Sequence, residues 1–377
     1  MKNILSTIKK LGIVVETDIP LATKTVFRIG GPAKYYFQVN SITQIIHLLP
    51  LLLDNGIDYL ILGSGSNMLI ADSGFPGAVI HLNILGKEII SQDKNKVIWK
   101  LGAGEVWDQC VADAVANDWW GIENLSYIPG QAGALPIQNV GAYGQQASDV
   151  ISEVTVYDTQ QRKVSQLTPA ECSFSYRHSI FNQEAMGRYI VLNITLSLSK
   201  HPQPSLDYPD LIKYFAEQHD LEKSLANIRK AIIYIRQQKL PDYKIIGSAG
   251  SFFKIVMLPR SDEDKIRDRL SKKFTPHIIE RYNEIVSKFA SEDMIKLSPG
   301  FLLDICNWRG KNCGQAVFYK KHAMVIINRA NKATAADVIC LAKQARQDVY
   351  QRTGIILQPE PMFIGFSDKE INNFYNL

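Results

Sequence analysis

Three stretches of this sequence hold residue types and spacings that could do chemistry. The first, "ILGSGSNMLI", sets Gly63, Ser64, Gly65, Ser66 and Asn67 directly after an apolar run. Successive backbone N–H groups in such a loop can surround a pyrophosphate, and the serine and asparagine side chains add donors. No Gly-Lys-Ser/Thr follows, so this is no Walker loop, and Met68 stands where the dinucleotide fingerprint wants a third glycine. By itself such a run is more often a turn than a ligand site. The second, "GIENLSYIPGQAGALPIQNVGAYG" over 121–144, combines Gly130, Gly133, Gly141 and Gly144 with Gln138, Asn139 and Tyr143. Small residues at that density let backbone approach a flat ligand, whose heteroatoms the amides and the tyrosine hydroxyl can bond. The third, "GSAGSFFKIV" over 247–256, isolates one hydroxyl, Ser251, between a glycine and two phenylalanines. Read alone, Gly247 and Gly250 make a turn and Ser251 begins a strand that sends Phe252 and Phe253 into the core.

Two charged residues join them. Arg177, in "SYRHSIF", offers a guanidinium that can bind a carboxylate and stabilise charge developing on it; the plainer alternative is a surface ion pair on a strand. Glu360, in "LQPEPMFIG", lies between two prolines near the end of an apolar strand, where a partly desolvated carboxyl could stay protonated. His178 stands outside any cluster and is read as a neighbour only.

The elements that must position these residues are legible as short β-rich runs bounded by glycine. "DYLILGSGSNMLI", "GAVIHL", "KVIWKLGAG", "VISEVTVYD" and "RYIVLNITLSLS" read as strands, and "SITQIIHLLPLLLDNG" and "VWDQCVADAVANDWWG" as helices between them. That mixture predicts an α+β or mixed α/β region. At "KHPQPSLDYPDL" three prolines predict a loop. Downstream, "LEKSLANIRKAIIYIRQQKLPD" reads as a helix stopping at Pro241, and "AMVIIN" as a strand. A long helix follows, with Thr334 and Asp337 as a capping pair and Gly354 as its stop, and then a strand over "GIILQPEPMFIG".

At 377 residues, 46% of them hydrophobic, the chain can build two or three packed cores. The net charge of +5 comes from 42 basic and 37 acidic residues dispersed along the chain, which argues against a nucleic-acid surface and suits a small anionic ligand. Cys110, Cys172, Cys306, Cys313 and Cys340 lack the close spacing of a zinc site or a disulfide framework. They read as free thiols of a reducing compartment, with no metal implied. The first twenty residues hold Lys9, Lys10, Glu16 and Asp18 among the apolar ones, unlike a signal peptide or a spanning helix, so the expected location is cytoplasmic.

The stretches "FRIGGPAKYY", "LGSGSNMLI", "GIENLSYIPGQAGALPIQNVGAYG", "SYRHSIFN", "GSAGSFFK" and "LQPEPMFIG", in that order, closely resemble the UDP-N-acetylenolpyruvoylglucosamine reductase family of flavoenzymes. The resemblance implies an α+β architecture. An FAD-binding fold of the vanillyl-alcohol oxidase/p-cresol methylhydroxylase type, in two subdomains, precedes a C-terminal α+β substrate-binding domain. The implied divisions are 1–85 and 86–220 for the FAD-binding subdomains, 221–354 for the substrate-binding domain, and 355–377 for a strand returning to the FAD-binding region.

FAD is the implied cofactor and NADPH the implied hydride donor. By resemblance, residues 63–67 hold the FAD pyrophosphate. Gly130, Gly133, Gln138, Asn139, Gly141 and Tyr143 line the flavin, and Gly30 with Gly31 closes the adenine side. Ser251 is assigned as the acid that protonates C2 of an enolpyruvyl UDP-sugar, with Arg177 and Glu360 stabilising the enolic intermediate. Tyr208 resembles a substrate-covering tyrosine found in one branch of the family; Arg236 and Lys239 resemble its diphosphate-side residues; His322 occupies a position facing the uridine end. Departures are Thr25-Val26-Phe27 where relatives have Asn-Thr-Phe, and Ile255-Val256 where they have Asn-Pro. The stretch 257–298 matches poorly. The expected assembly is a monomer or weak oligomer, neither inserted in a membrane nor bound to nucleic acid. Two rivals are an oxidase of the same flavin fold, which would need a base where this chain offers Ser251, and a non-catalytic UDP-sugar binder.

Overall fold

The computed structural model describes residues 2–218 and 220–376. The chain forms two compact units. One comprises Met1–Ile19, Ala33–Ser64 and Pro76–Gln238; the other comprises Pro20–Pro32, Gly65–Phe75 and Lys239–Leu377.

In the first unit the helix Ile42–Asp54 follows from its apolar spacing. Ile45, Leu48, Leu49 and Leu52 are buried, and the Ser41 hydroxyl caps it by accepting from the Gln44 N–H at 3.2 Å. It packs with Phe37, Val39, Ile80 and Leu82 of a four-stranded sheet ordered Val14–Pro20, Pro32–Val39, Phe75–Leu82, Tyr59–Leu62. The last two strands are parallel, with Tyr59 opposite Ala78. An antiparallel five-stranded sheet is ordered Lys163–Leu167, Ile151–Asp158, Tyr189–Ser199, Lys96–Gly102, Lys87–Gln92. Its central strand is buried without interruption from Ile190 to Leu196. Ile190 and Leu192 join the first core, whereas Val191, Ile194 and Leu196 join a second core under the helix Trp107–Ala116. That two-sided burial is why "IVLNITL" is an apolar run rather than an alternation.

The prolines after residue 200 do make a loop, but Pro209 opens the helix Pro209–Glu217 instead of preventing it. A first-turn position has no N–H obligation for proline to break. This helix and Leu225–Lys239 share a third core around Trp120, with Leu211, Leu225, Ile228 and Ile232. The second helix, C-terminal to the boundary expected at 220, therefore packs within the first unit.

The second unit is built on a sheet ordered Gly247–Ser251, Val325–Asn328, Ala316–Phe318, Asn312–Cys313. Ser251 ends its strand rather than beginning it, because Gly250 takes a left-handed φ of 72° and breaks the register just before it. The helix Ala335–Thr353 has the expected Thr334/Asp337 capping box, and Gly354 closes it at φ 78°. The poorly matching stretch folds as the strand pair Val256–Pro259 and Met294–Leu297 around the helices Glu263–Ser271 and Pro276–Phe289.

Two expectations are corrected here. The strand after Gly354 is confined to Met362–Ile364, paired in parallel with Met68–Ile70. Pro359 and Pro361 lack the N–H groups a longer ladder needs, so the chain there makes isolated bonds only: Lys254 N–H to Gln358 O and Glu360 N–H to Phe252 O, each 2.9 Å. The cysteines are not all free: Cys313 and Cys340 form a disulfide, and Cys110, Cys172 and Cys306 remain as buried thiols. Folding brings a strand end and a helix together across 27 residues, a pairing that sequence spacing did not display.

Candidate active site

In the first unit the glycine-rich run 121–144 is strapped to the segment before helix Trp107–Ala116. Trp107 N–H donates to Gly130 O at 3.1 Å, Ala132 N–H to Glu105 O at 2.9 Å and Gly133 N–H to Ala103 O at 3.0 Å. A methyl on Gly133 would lie 2.6 Å from the Ala103 Cβ, so only glycine permits this approach. Asn139 is buried, and its amide is spent on the protein: Nδ2 donates to Ser148 Oγ and to Ser175 O, and Oδ1 accepts from Ser148 N–H. That side chain braces the run against the turn carrying Arg177.

Arg177 lies in a tight turn, not on a strand. Ser175 and His178 exchange backbone hydrogen bonds across it, and Arg177 itself sits at φ 54°. Its Nη2 donates to Gly141 O at 3.0 Å, and the guanidinium lies 5.3 Å from the Tyr176 ring centre. The structure thus brings Arg177 onto the glycine-rich run. At the end of that run the Tyr143 ring meets Tyr208 edge-on, centres 5.0 Å apart. Burial pushes the Tyr143 hydroxyl up to about 12, against the pull of the neighbouring Arg236, to which it is hydrogen-bonded. Arg236 also donates from Nε to Tyr127 O at 3.2 Å, and burial lowers its guanidinium below the ordinary arginine value.

In the second unit, Gly30 and Gly31 pack under the segment 70–74, where a methyl on Gly31 would come within 2.1 Å of Asp72 O. Gly65, at φ 57°, presses against Thr25, which a Cβ would meet at 2.6 Å. Around Ser251 three predicted segments converge. Glu360 N–H binds the carbonyl of Phe252, the residue after Ser251. Asn67 Nδ2 reaches Glu360 O at 3.5 Å, and Met362 N–H donates to Asn67 O at 3.0 Å. Ser251, Asn67 and Glu360 are thereby gathered by backbone bonds. The buried Arg346 anchors the segment that carries Glu360, donating to Leu357 O at 2.8 Å and to Phe374 O. His322 lies in the turn between Ala316–Phe318 and Val325–Asn328, and Lys239 is exposed at the end of its helix. Ser64, Ser66 and Gln138 are half-buried in their loops.

Several polar residues of this region escaped sequence reasoning. Glu123 is fully buried; its carboxylate accepts from Gly121 N–H and Gln145 Nε2, and burial raises its pKa. Gln131 donates from Nε2 to Gly104 O, but its buried Oε1 has no partner, and the Oδ1 of buried Asn124 is likewise unpartnered. A buried acceptor without a donor is costly unless a bound group supplies one. The Gln131 oxygen also lies 2.9 Å from where a Gly63 side chain would begin. Two waiting acceptors beside backbone stripped of side chains fit a flavin nucleotide, whose ring N–H and hydroxyl groups are donors. Among the described residues no group of three or more His, Cys, Asp or Glu could hold a metal ion, and no helix is long and apolar enough to cross a membrane.

Comparison with known proteins agrees with this construction. Residues 33–164 match the family described as FAD binding domain, and residues 240–364 match UDP-N-acetylenolpyruvoylglucosamine reductase, C-terminal domain. A UDP-N-acetylenolpyruvoylglucosamine reductase of Bdellovibrio bacteriovorus is 39% identical over 306 residues, covering 81% of this chain and 86% of that protein. One from Flavobacterium johnsoniae is 33% identical over 347 residues, covering 92% and 98%. The crystal structure of UDP-N-acetylenolpyruvylglucosamine reductase from Thermus caldophilus shares the fold, with a TM-score of 0.62 at 22% identity over 93% of this chain and 99% of that one. On this similarity, spread over nearly the whole sequence, the chain belongs to the UDP-N-acetylenolpyruvoylglucosamine reductase family.

Proposed function

We propose that this protein is an FAD-dependent oxidoreductase that uses NADPH to reduce UDP-N-acetylglucosamine enolpyruvate to UDP-N-acetylmuramate, a step of peptidoglycan precursor synthesis. The observation that carries this reading is the family match over most of the chain, with an FAD binding domain over residues 33–164 and the reductase C-terminal domain over residues 240–364; Ser251, Arg177 and Glu360 lie in stretches that resemble the family's motifs.

Reducing the enol ether adds a hydride to the vinylic C3 and a proton to C2, so negative charge develops on an enolate beside a carboxylate. FAD, when bound, would supply the hydride, with NADPH as its reductant. The protein's own residues do the rest. Ser251 gives its hydroxyl proton to C2; a hydroxyl is a weak acid, and it suffices because the enolate is strongly basic and held close. Nothing lies within 4 Å of the Cβ that Gly250 lacks, chain neighbours aside. Arg177 binds the carboxylate and stabilises the charge on the enolate. Glu360 helps to stabilise the same intermediate.

Residues 63–67 hold the FAD pyrophosphate, Gly130, Gly133, Gln138, Asn139, Gly141 and Tyr143 line the flavin, and Gly30 closes the adenine side. Tyr208 covers the substrate as in the branch it resembles, Arg236 and Lys239 neutralise the diphosphate, and His322 meets the uridine end. The functional division is residues 1–85 and 86–220 for FAD, 221–354 for substrate and 355–377 returning to the FAD-binding part. The protein works in the cytoplasm as a monomer or weak oligomer, without a nucleic-acid partner. The test is product mass under nitrogen. NADPH-dependent conversion to a product heavier by two hydrogen atoms supports the reading, and NADPH consumption without that product contradicts it.

A further inference from the structure

Arg236 is an arginine held by backbone. Its Nε donates to the carbonyl of Tyr127 at 3.2 Å, and Tyr127 is a non-glycine residue at φ 60°, a conformation that must be held from outside. Asp108 holds it: the Asp108 Oδ1 accepts from Tyr127 N–H at 2.6 Å. The same carboxylate receives a two-pronged bond from Arg229, Nη1 to Oδ1 at 2.7 Å and Nη2 to Oδ2 at 3.1 Å, with both side chains largely buried. Arg229 and Arg236 stand seven positions apart on helix Leu225–Lys239, which is two turns and therefore one face. One arginine locks the helix to Asp108. The other is locked to the peptide that Asp108 orients.

We infer that Asp108 and Arg229 are positioning residues for substrate binding, forming a brace that fixes Tyr127 and through it sets the Arg236 guanidinium. The charge of Asp108 also favours the Arg236 cation, which burial opposes. A fork-shaped Arg–carboxylate pair resists rotation better than a single contact, so the brace defines direction as well as distance. Neither residue touches the substrate in this scheme. The inference rests on the reading of Arg236 as a diphosphate-side residue, and the test separates the two.

Steady-state and half-reaction kinetics are compared for Asp108→Asn, Arg236→Ala and the double variant. Asp108→Asn is expected to raise KM for UDP-N-acetylglucosamine enolpyruvate about tenfold, with kcat, flavin content and the rate of flavin reduction by NADPH within twofold of the parent. In the Arg236→Ala background the same change is expected to add nothing, because the two act through one contact. If Arg236→Ala raises KM and Asp108→Asn does not, or if the two effects multiply, the brace is overturned while the role of Arg236 stands. If Arg236→Ala leaves KM unchanged, that role falls and the brace with it. Arg229→Lys, which keeps the charge but not the fork, puts the same question should Asp108→Asn not fold, and is expected to raise KM severalfold.

Discussion

What the fold provides for the Ser251 hydroxyl is placement. Its strand ends on it, the left-handed Gly250 precedes it, and Glu360 N–H fixes the carbonyl of the next residue. In its proposed role as proton donor to C2, it matters to one half-reaction only. Ser251→Ala is therefore expected to leave flavin reduction by NADPH unchanged while slowing reoxidation by the enolpyruvyl substrate roughly 10²–10⁴-fold, the usual worth of a general acid. Equal slowing of both half-reactions, measured by stopped-flow absorbance, would remove Ser251 from that role. At this scale Ser251, Arg177 and Glu360 were singled out because each sits in a distinctive local string. Asp108 and Arg229 were not, since they are 121 positions apart and meet only through folding. Gln131 and Asn124 lie inside the quoted run, yet which polar atoms would be left without partners is a property of packing.

Among the elements, strands and helices set by apolar period and caps were readable: Ser41, Thr334 and Gly354 mark their helix ends as the residue types suggest. Proline was the harder signal. Pro209 starts a helix, while Pro359 and Pro361 shorten a strand, and the difference depends on whether the missing N–H had a partner to lose. The five-stranded sheet has a feature no period reveals, the pairing of Arg188 with the buried Asp158 where Asp158 faces Tyr189 across the ladder. The Arg188 guanidinium holds the Asp158 carboxyl below its ordinary value of 3.8. A depressed carboxyl contributes stability that is present above its unfolded pKa and lost as pH falls through the lower folded value. Arg188→Gln is thus expected to lower the thermal midpoint by a few degrees at pH 7, with the gap from the parent closing as pH falls below about 4. A gap independent of pH would show that packing, not charge, joins these strands.

For the molecule as a whole, composition pointed to a globular chain for a small anionic ligand, and the family match gives that ligand a class. The reading of five free thiols failed because it used sequence spacing alone. Denatured without reductant, the purified protein is expected to show three titratable thiols, rising to five after reduction; five at the outset would contradict the Cys313–Cys340 pairing. The central claim concerns two half-reactions of one flavin. Its most direct test is an anaerobic stopped-flow record of flavin absorbance, with NADPH added first and UDP-N-acetylglucosamine enolpyruvate second. Bleaching by NADPH followed by recovery driven by the enolpyruvyl substrate is the predicted result. Recovery only on admission of oxygen, or no flavin spectrum at all, would contradict it.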